Sequence, residues 1–289
     1  MFSQPSLSRI GIVSILMAAV VPMAVGDLTF PAASPQTTIK QQVGLTHFEL
    51  TYSRPSVKDR EIFGGLQAWG EVWRTGANAA TNLSFDSQIT FGGRPVEAGT
   101  YALFTIPGQA AWTVILNRVT DQWGATRYDA DEDAVRVEVP VRPAGDLVET
   151  LRIGFDALRD ESADLVITWE NAAVRVPITV DVRSQLQPEI EAAMSSGAKQ
   201  PDYIYFQAAA FYFDHAIDLD RAAAWIDLAL DQNPRAFWML HLKAKIHASL
   251  GNAEVAIAAA EASTAQAVAQ EGPSSGYKVM NDALLASLR

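Results

Sequence analysis

Along the first half of the chain apolar residues recur at every second position. In "LTHFELTY", Phe48, Leu50 and Tyr52 share one face while His47, Glu49 and Thr51 share the other. That is the two-residue period of a half-buried strand. "TNLSFDSQITF" runs to Gly92-Gly93, a hairpin signal, and "GTYALFTIP" runs to Pro107-Gly108. "AWTVILN", "AVRVEVPV", "ETLRIGF", "ADLVITWE" and "AVRVPITVDV" follow. No helical period intervenes. The pattern predicts an antiparallel β-sandwich or barrel over residues 36–182, behind a Pro- and Ala-containing lead-in at residues 27–35.

At Arg183 the pattern changes: alanine rises and β-branched residues fall. "FQAAAFYFDHAIDLDRAAAWIDLALDQNP" from Phe206 aligns with "LHLKAKIHASLGNAEVAIAAAEASTAQAV" from Leu240. Ala210 matches Ala244, Asp218 matches Asn252 and Ala222 matches Ala256, each pair 34 residues apart. This is the period of a tetratricopeptide repeat, whose small residues let two helices approach. The second copy is the weaker one, with Ser263 and Val268 in place of the late alanine and the proline. Ser274 to Leu288 adds a capping helix. The whole chain is therefore read as α+β: a β-sandwich or barrel, then an all-α tetratricopeptide-like domain at residues 183–289.

Residues 1–26 fit neither half. Arg9 precedes the uncharged run "IGIVSILMAAVVPMAVG", which ends in small residues with Ala24 and Gly26 three apart. A secretory signal peptide has this form, and cleavage after Gly26 leaves Asp27 first. A retained membrane anchor is the rival, but the run is short and Pro22 sits late in it. The expected location is periplasmic or secreted, with no membrane segment after cleavage.

Composition narrows the chemistry. There is no cysteine, which excludes thiol catalysis, Cys-based zinc sites, a lipoprotein anchor and disulfides. Stability must come from a large apolar core, which 49% hydrophobic residues permit. A net charge of −11 argues against nucleic acid as a partner. Nucleophile elbows, zinc-protease signatures and phosphate-cradling Gly-rich loops are missing, and no cofactor is implied. Ser196-Gly-Ala-Lys199 fits Ser-x-x-Lys but lies in an expected interdomain linker. "DADED" at Asp129 to Asp133 places acids as a calcium loop does, yet Ala134 and Pro140 stand where glycine and a bidentate glutamate belong.

One stretch stands out. "YSRPSVKDREIFGGLQAWGEVWRTGAN", Tyr52 to Asn78, sets Arg54, Lys58, Arg60 and Arg74 among Tyr52, Phe63, Trp69 and Trp73. Arginine forks suit carboxylate, phosphate or sulfate, and aromatic faces suit sugars. Asn78, after Gly76, adds an amide. Tyr52, Arg54, Lys58, Arg60, Trp73, Arg74 and Asn78 are the candidate ligand-binding residues. The alternative is bracing, with Arg54 and Arg74 paired to acids such as Glu71, Asp86 or Glu170. Arg54 and Arg74 are expected to point inward together over Trp73, with Lys58 and Arg60 nearer solvent.

The motifs "YSRPSVKDREIFGGL", "GEVWRTGANAAT", "AGTYALFTIPG", "WTVILN" and "WGATRYDADEDAVRV", in that order, resemble a bacterial domain-of-unknown-function family, number 2911, over about residues 34–182. The resemblance implies an exported β-rich protein, often with a helical repeat tail, and no particular activity. Two positions depart from its pattern: Ala79 replaces an acid and Asp59 replaces a glycine. The reading that follows is a non-catalytic binding module, with a small anionic or glycan ligand on the β-domain and a protein partner on the repeats. A periplasmic hydrolase of sugars or esters and a structural envelope protein are the alternatives.

Overall fold

A computed structural model describes Met1 and residues 30–288. The predicted signal peptide falls, apart from Met1, outside the described residues. Ten strands come first: β1 Gln36–Val43, β2 Thr46–Ser53, β3 Thr81–Phe85, β4 Ile89–Phe91, β5 Arg94–Val96, β6 Gly99–Ile106, β7 Ala111–Asn117, β8 Asp133–Pro140, β9 Arg142–Asp156 and β10 Ser162–Val180. They form two antiparallel sheets, ordered β1-β2-β3-β6-β7-β8 and β5-β4-β10-β9. This is an open sandwich rather than a closed barrel. The alternating apolar positions of both sheets meet in one core, with Phe48, Leu50 and Leu83 facing Ile153, Ile167 and Val176.

Two departures from strict alternation shape the sandwich. "TNLSFDSQITF" is two strands, not one. Asp86-Ser87-Gln88 breaks it, β3 stays in the first sheet and β4 crosses to the second. Conversely "ADLVITWE" and "AVRVPITVDV" are one strand, β10, whose register slips on either side of Glu170. Glu170 has φ 53, the left-handed conformation of a bulged residue. Gly92, at φ 56 in the β4–β5 hairpin, is required: a Cβ there would lie 2.7 Å from Val137 Cγ1.

Six helices follow: α1 Val182–Ser195, α2 Asp202–Asp214, α3 Leu219–Gln232, α4 Phe237–Ser249, α5 Ala253–Glu271 and α6 Gly276–Leu288. Helix pairs α2–α3 and α4–α5 are the two repeat copies, and α6 caps them. Ala222, Ala229, Ala244 and Ala256 are all fully buried, which sets the close helix packing the period implied. Asp218 caps α3 by accepting from the Arg221 N–H. Asn252, its counterpart before α5, makes no such side-chain bond, so the weaker copy in sequence is also the less well capped.

Only Asp181 separates β10 from α1, and its carboxylate accepts from the Ser184 N–H to start the helix. The Ser196–Lys199 stretch therefore lies between α1 and α2 and is not an interdomain linker. Helix α1 buries no residue completely and contains Pro188, so its sequence carries little helical signal. Among the described residues no helix is long and apolar enough to cross a membrane.

Candidate functional site

The segment after β2 crosses the open side of the sandwich. The Val57 N–H donates to Glu149 O at 2.7 Å, and the Leu151 N–H donates to Pro55 O at 2.9 Å. The chain thus extends the free edge of β9 and covers it. It then turns inward. Phe63 packs against Trp112 with ring centroids 4.7 Å apart. Trp73 stacks on Trp169 at 5.6 Å, and its backbone pairs with Thr105 of β6. The Trp73 Nε1–H donates to Gly76 O at 3.0 Å. The Tyr52 hydroxyl accepts from the Ile153 N–H at 2.9 Å, across the sandwich. Tyr52, Phe63 and Trp73 are buried core residues and form a plug, while Trp69 stays exposed.

The cations stay outside the plug. Arg54 donates its Nε–H to Leu151 O at 3.0 Å. Arg60 donates to Val57 O and Ser56 O. Lys58 is exposed, and its backbone N–H donates to Glu149 Oε1. The Arg74 Nε is buried with no partner, and burial lowers its pKa. Among the described residues none of the four forms an ion pair. The acids expected to neutralise them are occupied elsewhere or exposed. Glu170 accepts the Ile62 N–H, Asp86 pairs with His47, and Glu71 is exposed. Bracing exists, but it runs through carbonyl oxygens and leaves the charges free.

No hydrogen bond or ion pair among the described residues joins Arg54 to Arg74. Arg54 lines a cavity of about 370 Å³ with Pro35, Leu147, Glu149, Thr150 and Arg152. Arg74 lies beside Gly124. Asn78 donates to Ser34 O and Ser53 Oγ, tying the lead-in to β2. Arg152 and Thr150 come from β9, almost a hundred residues after Arg54. No local spacing links them, and only the pairing of residues 55–57 with β9 brings them together.

A larger cleft, about 650 Å³, opens on the outer face of the six-stranded sheet. Its polar side chains satisfy one another: Lys40 with Glu49 at 3.3 Å, His47 with Asp86 at 3.0 Å and Ser84 with Thr100 at 2.9 Å. His47, partnerless in sequence, holds the Asp86 carboxyl below its usual range, chiefly through its backbone N–H. This is a paired polar sheet face, and the smaller, cationic cavity has more unspent binding capacity.

The acidic turn is structural. Asp129 caps a short 3₁₀ turn at Ala130–Glu132. Asp133 accepts from Asn117 and from the Tyr128 hydroxyl. Among the described residues no group of three acids or histidines is placed to hold a metal.

An antiparallel sandwich closed by an aromatic plug, with a helical repeat region joined directly to its last strand, defines the class. Over residues 34–178, half of its length, the chain matches the family described as "Protein of unknown function (DUF2911)", and it belongs to that family. No curated protein and no solved structure gives a match. The departure at residue 59 has a conformational reading: Asp59 has φ 56, a position that glycine occupies freely and that aspartate tolerates. Ala79 is exposed and bridges Trp123.

Proposed function

We propose that this protein is an exported, non-catalytic binding module whose β-sandwich takes a small anion in the cavity beside Arg54. The observation that carries the reading is a set of unpaired cations in an acidic protein. Arg54 and Arg152 line one cavity, neither forms an ion pair among the described residues, and the chain's net charge is −11. The Nε–H of Arg54 is fixed by Leu151 O. That bond pre-orients the guanidinium and leaves its Nη groups to form charge-assisted bonds with a carboxylate, sulfate or phosphate. Thr150 adds a hydroxyl that it shares with Ser56 Oγ, Leu147 an apolar wall, and the Glu149 carboxylate on the same cavity accepts the Lys58 N–H. The helical repeats, with larger side chains around small packed residues, suit a protein partner bound weakly or by avidity.

Calorimetric titration with sulfate, phosphate and glucuronate tests the site. Binding should occur with at least one anion, weaken with salt, and fall by about tenfold or more in Arg54→Ala and Arg152→Ala proteins that remain folded, since each loses a charge-assisted bond of roughly 1.5–3 kcal/mol. If no anion binds the wild-type protein, the reading fails. Mass analysis of the exported protein should give an N-terminus at Asp27.

A further inference from the structure

The loop between β7 and β8 lies across the outer face of the six-stranded sheet. Beneath it Ala80, Ala102, Phe104 and Ile115 pack with Val72, Ala125 and Tyr128. The loop is stitched down by backbone bonds: the Ala80 N–H donates to Gln122 O at 2.8 Å, and the Gly124 N–H donates to Asn78 O at 3.3 Å. The Thr81 N–H donates to Arg74 O, which places Arg74 at the same seam.

Three polar atoms here are buried without partners: the Arg74 Nε, the Gln122 Oε1 and the Asn82 Oδ1. Asn82 sits two residues after Ala80, opposite Ala102. A buried polar atom left unpaired is costly, and more so when it belongs to a cation with no counter-charge among the described residues. A hydrophobic side chain at position 74 would avoid that cost. The seam also has an opening. Gly124 has φ 80, and a Cβ built on it would meet only Arg74 Nη1, at 3.9 Å. Next to this gap Trp123 is 71% exposed, although its backbone is bridged to Ala79. A large aromatic face is thus held in water one residue from the glycine that Arg74 Nη1 adjoins, with no ring partner among the described residues.

We propose that Arg74 and Trp123 form a second binding site, separate from the Arg54 cavity, for an acidic sugar. The carboxylate enters at the Gly124 gap onto the Arg74 guanidinium, and the sugar ring stacks on the Trp123 indole. An anion alone uses only the guanidinium. A neutral sugar uses only the indole. A uronate uses both.

The test titrates the full chain with glucuronate, glucose and acetate, following tryptophan fluorescence and heat. Glucuronate should quench the exposed indole and bind at least tenfold more tightly than glucose or acetate. Trp123→Ala, a surface change that keeps the fold, should weaken glucuronate binding by tenfold or more and abolish the quench. Arg74→Lys should weaken it, and Arg54→Ala should leave the quench intact. With the Arg54 cavity disabled by Arg54→Ala, the proposal is overturned if Trp123→Ala leaves glucuronate binding unchanged, or if acetate binds equally well. It is also overturned if Arg54→Ala removes the quench, an outcome that would assign the binding to the Arg54 cavity alone.

Discussion

The His215 Nε2 lies 3.0 Å from Glu161 Oε1, joining the end of α2 to the turn between β9 and β10. Its other ring nitrogen, Nδ1, is 2.8 Å from Phe211 O. Both ring nitrogens face acceptors. A neutral imidazole can donate from only one of them, so this geometry favours the imidazolium. Burial pulls the His215 pKa down, but the bond to Glu161 and the bond to Phe211, helped by Asp214, outweigh it and raise the pKa overall. The sandwich and the repeats are thereby linked by a contact whose strength depends on proton occupancy.

The sign of that dependence follows from linkage. A histidine whose folded pKa is raised contributes stability that is fully present below its unfolded value, about 6.5. That contribution is lost as pH rises through the folded pKa. The pair is partly exposed, so its worth is at most about 1 kcal/mol. Thermal unfolding between pH 6 and 9 should show a small fall in stability for the wild type. His215→Gln should flatten that fall, and an unchanged profile in the variant would remove His215 as its source.

Trp73 should be the costly member of the plug. It stacks on Trp169 and meets Phe63 and Trp112 edge-on. Trp73→Ala leaves a cavity between the sheets and should cost about 3–5 kcal/mol in urea unfolding. Arg60→Ala should cost less than about 1 kcal/mol, because it removes bonds to carbonyls on an exposed loop that water can replace. Comparable losses for the two would mean that the loop, and not the aromatic plug, closes the sandwich.

Much of this fold was legible from periodicity because the core faces of the central strands alternate cleanly. Phe48, Leu50 and Tyr52 are buried as their spacing required. β1, "QTTIKQQV", is an edge strand with polar residues on both faces, and alternation has nothing to register there. Glu170-Asn171 reads as a turn, yet β10 absorbs it as a bulge. The candidate site was half legible. Its arginines stood out against an acidic chain, but aromatic residues adjacent in sequence point into the core. Arg152 and Trp123 come from distant segments that reach Arg54 and Ala79 only after folding, so no local pattern announces them.

A second buried network should set the stability of the repeats. Ser263, which replaces the expected alanine, donates to Phe237 O at 2.7 Å and accepts from Asn281 Nδ2 at 2.8 Å. Asn281 Oδ1 in turn pairs with His241 Nδ1 at 2.6 Å. The substitution away from alanine thus ties α4, α5 and the capping helix together. Asn281→Leu leaves His241 Nδ1 without its partner, while Ser263 keeps Phe237 O, and should cost about 1–3 kcal/mol. Hydrogen exchange should show the loss first in α6. His241→Phe paired with Asn281→Leu should be milder than the single leucine variant, because it removes the stranded partner.

The acidic turn should not respond to calcium. "DADED" spaces its carboxylates like the start of a calcium loop, but the structure spends them on its own backbone and side chains. Asp129 accepts the Asp131 N–H. The nearly buried Asp133 carboxylate accepts from Asn117 Nδ2 at 2.9 Å and from the Tyr128 hydroxyl at 2.6 Å, with Arg136 3.4 Å away. Tyr128 is correspondingly held protonated, its pKa raised first by burial and then by this bond. A carboxylate with its acceptor sites filled in this way has little left for a metal, and calcium would first have to displace the tyrosine. Millimolar calcium or a chelator should therefore leave the melting temperature unchanged. Asp133→Ala should lower stability by about 1–3 kcal/mol, because it leaves the Tyr128 hydroxyl without an acceptor and the Asn117 amide with only Asp129 O. Asp133→Asn should fall between the two, since its remaining oxygen can still accept from one of them. A calcium-dependent rise in melting temperature that Asp133→Ala abolishes would reverse this assignment and make the turn a metal site.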